Sequence, residues 1–282
     1  MRLIPVLLVV LAVVLVATAL LAYKYYRLSG HLDWIQTKLD QKDLLLNQTN
    51  QHCDQRLVFI HHSVGNNWLL EGELWANLVT LGIGVQSASR GTEVGQDTDM
   101  NHWLAKFENQ SDDIIHFDAH APGHRSDAYE NDIIMFKSCY PNSNIVSEGA
   151  EIGDPHSPEK TISNYRATFY GLQKVFARYP EKIFIYVTAP PLVPSRTTTE
   201  NADRARTFND WVKAEFVAGY GSETGLNNIF VFDLFDVLAD SSGVLKNEYR
   251  RTERDSHPNA RGSLAATDAF LEFLRDNKIA GK

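Results

Sequence analysis

The pattern of apolar and polar positions divides the 282-residue chain into three stretches. From Leu3 to Tyr23 the side chains are almost all Leu, Val, Ala and Ile, and none is charged; Arg2 precedes this run and Lys24 and Arg27 follow it. A run of this length spans the ~30 Å hydrocarbon core of a bilayer as a single helix. It exceeds the apolar region of a cleaved signal, about 7–15 residues, so residues 1–27 are expected to form an uncleaved signal-anchor, a transmembrane helix. Ala17-Thr18-Ala19 offers a cut site inside the run, which leaves a secreted form as the alternative. Over residues 28–53, Leu28, Leu32, Ile35, Leu39 and Leu46 recur at 4-3-4-7 spacing among polar residues. That is the pattern of a helical stalk or linker whose apolar seam invites self-association. With fewer than three heptads, a solitary juxtamembrane helix fits it equally well.

From Leu57 onward, strand-like and helix-like segments alternate. Leu57–Ile60, Ile83–Val85, Asp132–Phe136, Lys182–Val187 and Ile229–Phe232 are short apolar runs, as expected of strands covered on both faces. Helical periodicity places helices around Trp68–Leu81, Met100–Phe107, Ala202–Ala218 and Ala260–Asp276, with another running from a Ser163 cap to Arg178. Strands interleaved with helices predict an α/β fold for residues 54–282, a three-layer α/β/α sandwich around a five-stranded parallel sheet. Ligands bind such sheets beyond the carboxyl ends of the strands. The segments after His62, Ser87, Lys137, Thr188 and Phe232 are therefore where chemistry is sought.

Composition narrows the partners. The chain is 44% hydrophobic and 22% charged, as globular domains are. Its net charge is -8 and it has no Lys/Arg run, which argues against nucleic acid, whose phosphates demand a dense positive surface. Cys53 precedes the first strand and Cys139 follows the third. In a parallel sheet they fall at opposite ends, on the order of 15–20 Å apart, beyond the ~7 Å that a disulfide tolerates; two reduced thiols are predicted. Trp68, Trp75, Trp103 and Trp211 fall on apolar helical faces and read as core, with Trp68 or Trp103 the candidates for stacking on a sugar. Asn47-Gln48-Thr49 and Asn109-Gln110-Ser111 match the glycosylation sequon, a short and weak signal.

The first strand runs into His61-His62-Ser63-Val64-Gly65-Asn66-Asn67. A serine at a strand-to-helix turn presents its hydroxyl at the active end of the sheet, where helix-start amides can stabilise an oxyanion; it can equally be an ordinary N-cap. The far end of the chain carries Arg254-Asp255-Ser256-His257-Pro258-Asn259 just before the last helix. Alone this reads as a capped turn with Pro258 at the first helical position. Together the two segments bring a serine, an imidazole and a carboxylate to one end of one sheet, the set that acyl transfer through a serine needs.

Strand-Ser63 near the domain start, with Asp255-x-His257-Pro258-Asn259 near its end, resembles the SGNH or GDSL-like hydrolase superfamily, a flavodoxin-like fold. Phe59–Trp68, Asp97-Thr98-Asp99, Phe136–Asn144, Thr188–Leu192 and Asp255–Pro258 resemble, more narrowly, a poorly characterised bacterial SGNH-like group, over about Leu57 to Leu274. The resemblance implies Ser63 as nucleophile, His257 as general base and Asp255 as its carboxylate partner, without a cofactor. It also implies an oxyanion hole from the Ser63 amide, a glycine after the second strand (Gly91, or else Gly95) and an asparagine after the third (Asn142, then Asn144, with Ser138 as substitute). Three departures stand out. His61-His62 replaces Gly-Asp before the nucleophile, and Lys137-Ser-Cys-Tyr-Pro-Asn142 replaces Gly-x-Asn-Asp. Asp255 lies two residues before His257 rather than three, a spacing similar to that of exported polysaccharide O-acetyltransferase relatives.

A rival constellation, His116-Phe-Asp118-Ala-His120 with His124 and Asp127, places metal-capable side chains within a short segment. It lies in a Gly- and Pro-containing loop without a second paired motif and reads as polar surface or cleft wall, so no metal is expected. The expectation is a membrane-tethered serine esterase with its catalytic domain exported. It would remove a small acyl group, such as acetyl on an extracellular glycan, from an acyl ester or acylated glycan through an acyl-serine intermediate. Polysaccharide O-acetyl transfer with the same triad, and a non-catalytic glycan-binding domain of the same fold, are the alternatives.

Overall fold

The computed structural model describes residues 53–280. The expected signal-anchor and nearly all of the stalk lie outside the described residues, and no helix within them is long and apolar enough to cross a membrane. Five strands, β1 (Gln55–Ile60), β2 (Ile83–Ala88), β3 (Ile133–Lys137), β4 (Ile183–Val187) and β5 (Ile229–Phe232), form one sheet in the order β2-β1-β3-β4-β5. Every pairing is parallel, with Leu57 beside both Val85 and Ile133 and Met135 beside Ile185.

Because successive strand residues point to opposite faces, β1 feeds two cores. Leu57 and Phe59 join Trp68, Leu74, Leu78 and Phe270 on one side, and Val58 and Ile60 join Trp103, Phe107, Phe169 and Phe176 on the other. The first core is covered by helices α1 (Ser63–Leu70), α2 (Leu74–Thr80) and, from the chain end, Ala260–Asp276. The second is covered by α3 (Trp103–Ile115), α4 (Ile162–Phe176) and α5 (Thr199–Trp211). The expected three layers are thus present, and both faces of the sheet are apolar for that reason.

Several boundaries move for identifiable reasons. The helix expected over Trp68–Leu81 is two helices, broken at Gly72, where a Cβ would lie 2.6 Å from the Trp68 carbonyl oxygen and 2.7 Å from that of Ser263. That close approach lets the last helix dock on α1, and the Thr267 hydroxyl joins them, donating to Gly72 O at 2.6 Å and accepting from Trp68 Nε1 at 3.0 Å. Thr161, rather than Ser163, caps α4 by accepting from the Asn164 amide at 3.2 Å. The helix expected to stop at Gly219 continues through a π turn, Val212–Phe216, into α6 (Val217–Thr224) and ends at Gly225, φ 71°. A mid-helix glycine costs about 1 kcal/mol, and buried Tyr220, donating to Asn228 Oδ1 at 2.7 Å, anchors the extension across it.

Two elements escaped the sequence pattern. A one-and-a-half-turn helix α7 (Leu234–Leu238) follows β5, and an antiparallel hairpin β6 (Arg250–Thr252) and β7 (Asp255–Pro258) precedes the last helix, α8 (Ala260–Asp276). Asp255-Ser-His-Pro is therefore a strand, not only a capped turn.

Candidate active site

β1 ends under the first turn of α1, so Ser63 stands at the carboxyl edge of the sheet as the first helical residue. The leading amides of any helix lack intrahelical partners, and that of Ser63 is among them. His62 before it is extended (φ -120°, ψ -157°) and makes no side-chain cap. The turn is held from below by His61, which is fully buried. Its Nδ1–H donates to His62 O at 2.8 Å, and Nε2 accepts from the Ser87 hydroxyl at 2.9 Å. Burial most of all, with the charges of Lys137 and His62, lowers the ring to about 3, although the His62 carbonyl hydrogen bond opposes them. His61 is a neutral strut. Gly65 is its counterpart in α1, since a Cβ there would stand 2.4 Å from His61 Cβ.

His257 arrives on β7. In a strand, residues two apart share a face, so Asp255 and His257 point the same way, while Ser256 and Pro258 between and beyond them are buried. His257 Nε2 accepts from Ser63 Oγ at 2.7 Å, and His257 Nδ1–H donates to Asp255 Oδ1 at 2.5 Å. The same oxygen also accepts the His257 amide at 3.0 Å. Burial pushes the Asp255 carboxyl up, but the two His257 hydrogen bonds, the ring charge and Arg251 outweigh it, and the net shift is downward. The carboxylate is therefore ionised where it fixes the Nδ1–H tautomer. Tyr140 meets the His257 ring edge-on, with centroids 5.0 Å apart. Cys139 Sγ lies 3.9 Å from Ser63 Oγ.

The structure thus brings Ser63, His257 and Asp255 together. It does not bring Gly91 or Asn142 to the wall of the pocket around Ser63, which is formed instead by neighbours such as Ser89, Arg90, Cys139, Tyr140 and Pro141. Asn142 is buried, its Nδ2 donating to Asp99 Oδ1 at 2.7 Å and Cys139 O at 3.2 Å, and its Oδ1 accepting from the Met100 amide at 3.0 Å. It clamps the start of the Met100 segment to the turn after β3 and has no donor left for an oxyanion. Neither Ser138 nor Asn144 lines the pocket, and both accept hydrogen bonds from elsewhere. Ser138 Oγ accepts from Trp103 Nε1 at 2.8 Å, and Asn144 Oδ1 accepts from Thr197 and Asn201. The Gly95 amide donates to the Thr92 hydroxyl at 3.1 Å.

His62 is the functional residue that the sequence undervalued. Its Nε2–H donates to Gly95 O at 3.1 Å, so Nδ1 is free to accept from the Thr98 hydroxyl at 3.2 Å. Burial lowers its pKa most, Arg90 and Lys137 lower it further, and the Gly95 bond and Asp99 push the other way. One side chain beside the nucleophile thereby holds both ends of Gly95–Thr98 against the site. Ser256 is a second such residue, its buried hydroxyl accepting from the Val193 amide at 3.1 Å. Trp68 and Trp103 are 1% and 0% exposed, which removes both as sugar-stacking platforms.

The rival metal segment is spent on ion pairs. Asp118 faces Arg56 at 3.3 Å, His116 faces Asp112 at 3.3 Å, and Arg125 bridges Asp112, Asp113 and Asp127. Among the described residues no group of three or more His, Cys, Asp or Glu side chains could hold a metal ion. No disulfide joins Cys53 and Cys139.

No family model and no curated protein sequence matches the chain. Among solved structures it is similar to a provisionally named platelet activating factor from Streptococcus pneumonia (15% identity, 87% of this chain and 99% of that one, TM-score 0.47). It is also similar to a GDSL-like lipase from Bacteroides thetaiotaomicron (13% identity, 79% and 88%, TM-score 0.45). A third likeness is to a Corynascus thermopiles carbohydrate esterase family 2 enzyme with its carbohydrate binding domain (15% identity, 80% and 67%, TM-score 0.45).

Proposed function

We propose that the protein is a serine esterase of the SGNH or GDSL-like type that removes a small acyl group through an acyl-serine intermediate. The observation that carries this reading is the unbroken relay from Ser63 Oγ to His257 Nε2 at 2.7 Å and from His257 Nδ1 to Asp255 Oδ1 at 2.5 Å. Ser63 Oγ attacks the ester carbonyl as its proton passes to His257 Nε2, and Asp255 stabilises the imidazolium without taking a proton itself. The tetrahedral oxyanion forms at the start of α1, where the Ser63 amide and the helix dipole favour negative charge. The imidazolium then protonates the departing alcohol, and water, deprotonated by the same ring, releases the acid and restores Ser63.

The pocket supports a small acyl group on a polar alcohol. Its volume is about 1080 Å³, and its only carbon-rich side chains beyond the histidines are Tyr140 and Pro141. A long acyl tail gains about 0.8 kcal/mol per buried CH₂ only against a continuous apolar wall, and here Tyr140 and Pro141 stand among polar and charged side chains. Acetyl on an extracellular glycan fits this wall together with the apolar run over residues 1–27. We read that run as a tether that leaves the catalytic domain outside the membrane. Transfer of the acyl group to a polysaccharide hydroxyl is the second reading, favoured by the two-residue Asp255–His257 spacing that β7 accommodates.

The test is hydrolysis of a short-chain aryl acetate by the full-length chain. Ser63→Ala and His257→Ala are each expected to lose on the order of 10⁴-fold or more in kcat, and the double variant scarcely more than either alone. Wild-type rates in Ser63→Ala would dismiss the reading. Turnover only when a glycan acceptor is added would select transfer.

A further inference from the structure

The pocket around Ser63 does not end at its own rim. Gln96, Asp97 and His102 line it on one side and, on the other, line an adjoining depression of about 570 Å³ that runs on past Asn101 and Asn109 to His156. Drug-sized ligands occupy about 300–1,000 Å³, so the first cavity alone fills that range and the second adds room for more.

The shared wall is fixed rather than incidental. Gln96 and Asp97 are the two residues between Gly95 and Thr98, both of which His62 holds by hydrogen bonds of 3.1 and 3.2 Å. Asp97 itself has φ 47°, a left-handed conformation that a non-glycine residue adopts only where its surroundings hold it there. Gly95 packs so closely on Ser89 that a Cβ would stand 2.1 Å from the Ser89 carbonyl oxygen. The side chains of the second depression are amides, carboxylates and imidazoles, with Ala105 the sole apolar one and the Lys106 amine turned back onto Val94 O at 2.9 Å.

We infer that this depression is a second binding subsite for a polyhydroxylated chain, so that the enzyme cleaves an ester borne on an oligosaccharide or polysaccharide in preference to one on a single sugar. The inference rests on the esterase reading and extends it. Closely set amide, imidazole and carboxylate groups match sugar hydroxyls, whereas a lipid tail would find Ala105 as the sole apolar side chain and a polyanion would meet Glu93 and Asp97.

The experiment compares three acetyl esters with the full-length chain: an aryl acetate, and glucose and cellotetraose each carrying on average about one acetyl group per ring. An Asn101→Ala/His156→Ala variant is measured beside the wild type. Losing two hydrogen bonds should cost roughly tenfold in kcat/KM on the tetrasaccharide, mostly through KM. The aryl acetate rate is expected to be unchanged, and wild-type kcat/KM on the tetrasaccharide should exceed that on glucose by about the same factor. Equal kcat/KM on the mono- and tetrasaccharide, or an equal loss on the aryl acetate in the variant, would overturn the subsite while leaving the esterase intact. An O-acetylserine tetrapeptide is measured as a fourth substrate, and a preference for it over either sugar would assign the groove to peptide and overturn the proposal. Wild-type inactivity on all three acetates would instead remove the esterase reading beneath it.

Discussion

Ser63 and His257 reach the same point by different physical means. Ser63 is mounted on the core: His61 beneath it is fully buried, Gly65 makes room for that ring, and Trp68 in the same helix packs on Phe59, Phe232 and Phe270. His257 is mounted on a two-stranded hairpin, held mainly by polar ties. Ser256 accepts from Val193, Ser195 donates to Glu253 O, Arg251 Nε donates to Pro258 O, and Asn259 Nδ2 donates to Glu248 O and Arg250 O. Core packing fixes one partner at low cost in surface, while hydrogen bonds aim the other. A change under Ser63 should therefore register first in stability, and a change in the hairpin first in turnover.

The largest expected effect tests the hairpin side. Asp255→Asn keeps the shape but offers Nδ1–H a weaker acceptor and admits the wrong tautomer, so kcat should fall about 10⁴-fold. The denaturation midpoint should move by less than the equivalent of about 1 kcal/mol, because the pair is partly exposed. A stability loss matching the activity loss would erase the contrast.

Next comes a pH test of the core side. His61 has a folded pKa of about 3 against an ordinary 6.5. Between those values the unfolded chain binds a proton that the folded one refuses, so stability falls as pH drops through this window, by about 1.4 kcal/mol per unit. From about pH 6 to 4.5 that is roughly 2 kcal/mol, read as the difference in slope between wild type and His61→Gln in denaturant unfolding. Parallel slopes would mean that the strut is solvated.

Gly65→Ala probes the same contact sterically. Alanine would ordinarily gain about 1 kcal/mol in a helix, but the 2.4 Å approach to His61 reverses the sign. A net loss of about 1–3 kcal/mol is expected, checked by the denaturation midpoint, with kcat reduced because α1 is displaced. A stabilised variant would show that His61 moves freely.

This contrast explains how much of the molecule was legible beforehand. The five strands declare themselves because burial on both faces demands unbroken apolar runs such as Leu57–Ile60, and α8 because its buried residues Ala266, Phe270 and Leu274 recur at helical spacing. That Ser63 and His257 would meet was legible because both sit beside strand-to-helix signals at the same end of the sheet. The β6–β7 hairpin was not, since Arg250–Thr252 is short, polar and exposed and owes its pairing to tertiary ties. Asn142 was misjudged for a related reason. Sequence places an amide after β3, but only the fold shows both its donors consumed by Asp99 and Cys139. The holding role of His62 was not legible because its two partners lie 33 and 36 residues away.

The smallest expected effect is the most discriminating. Ser256 lies between Asp255 and His257 on β7 and faces away from them, so Ser256→Ala leaves the Asp255–His257 bond untouched while orphaning the buried Val193 amide. An unsatisfied buried donor costs about 1–3 kcal/mol, and here the Ser195 and Arg196 contacts to the same hairpin should hold the loss near the lower figure. Turnover should respond more than affinity, because β7 can shift toward solvent and lengthen the His257–Ser63 bond without altering the pocket wall beyond Tyr140. A displacement of 1 Å at a reacting group costs up to about 100-fold, so a partial shift should cost roughly tenfold in kcat with KM little changed. If stability falls and kcat does not, the base is aimed by Asp255 and the Tyr140 ring alone, and the hairpin's ties serve only to keep it folded.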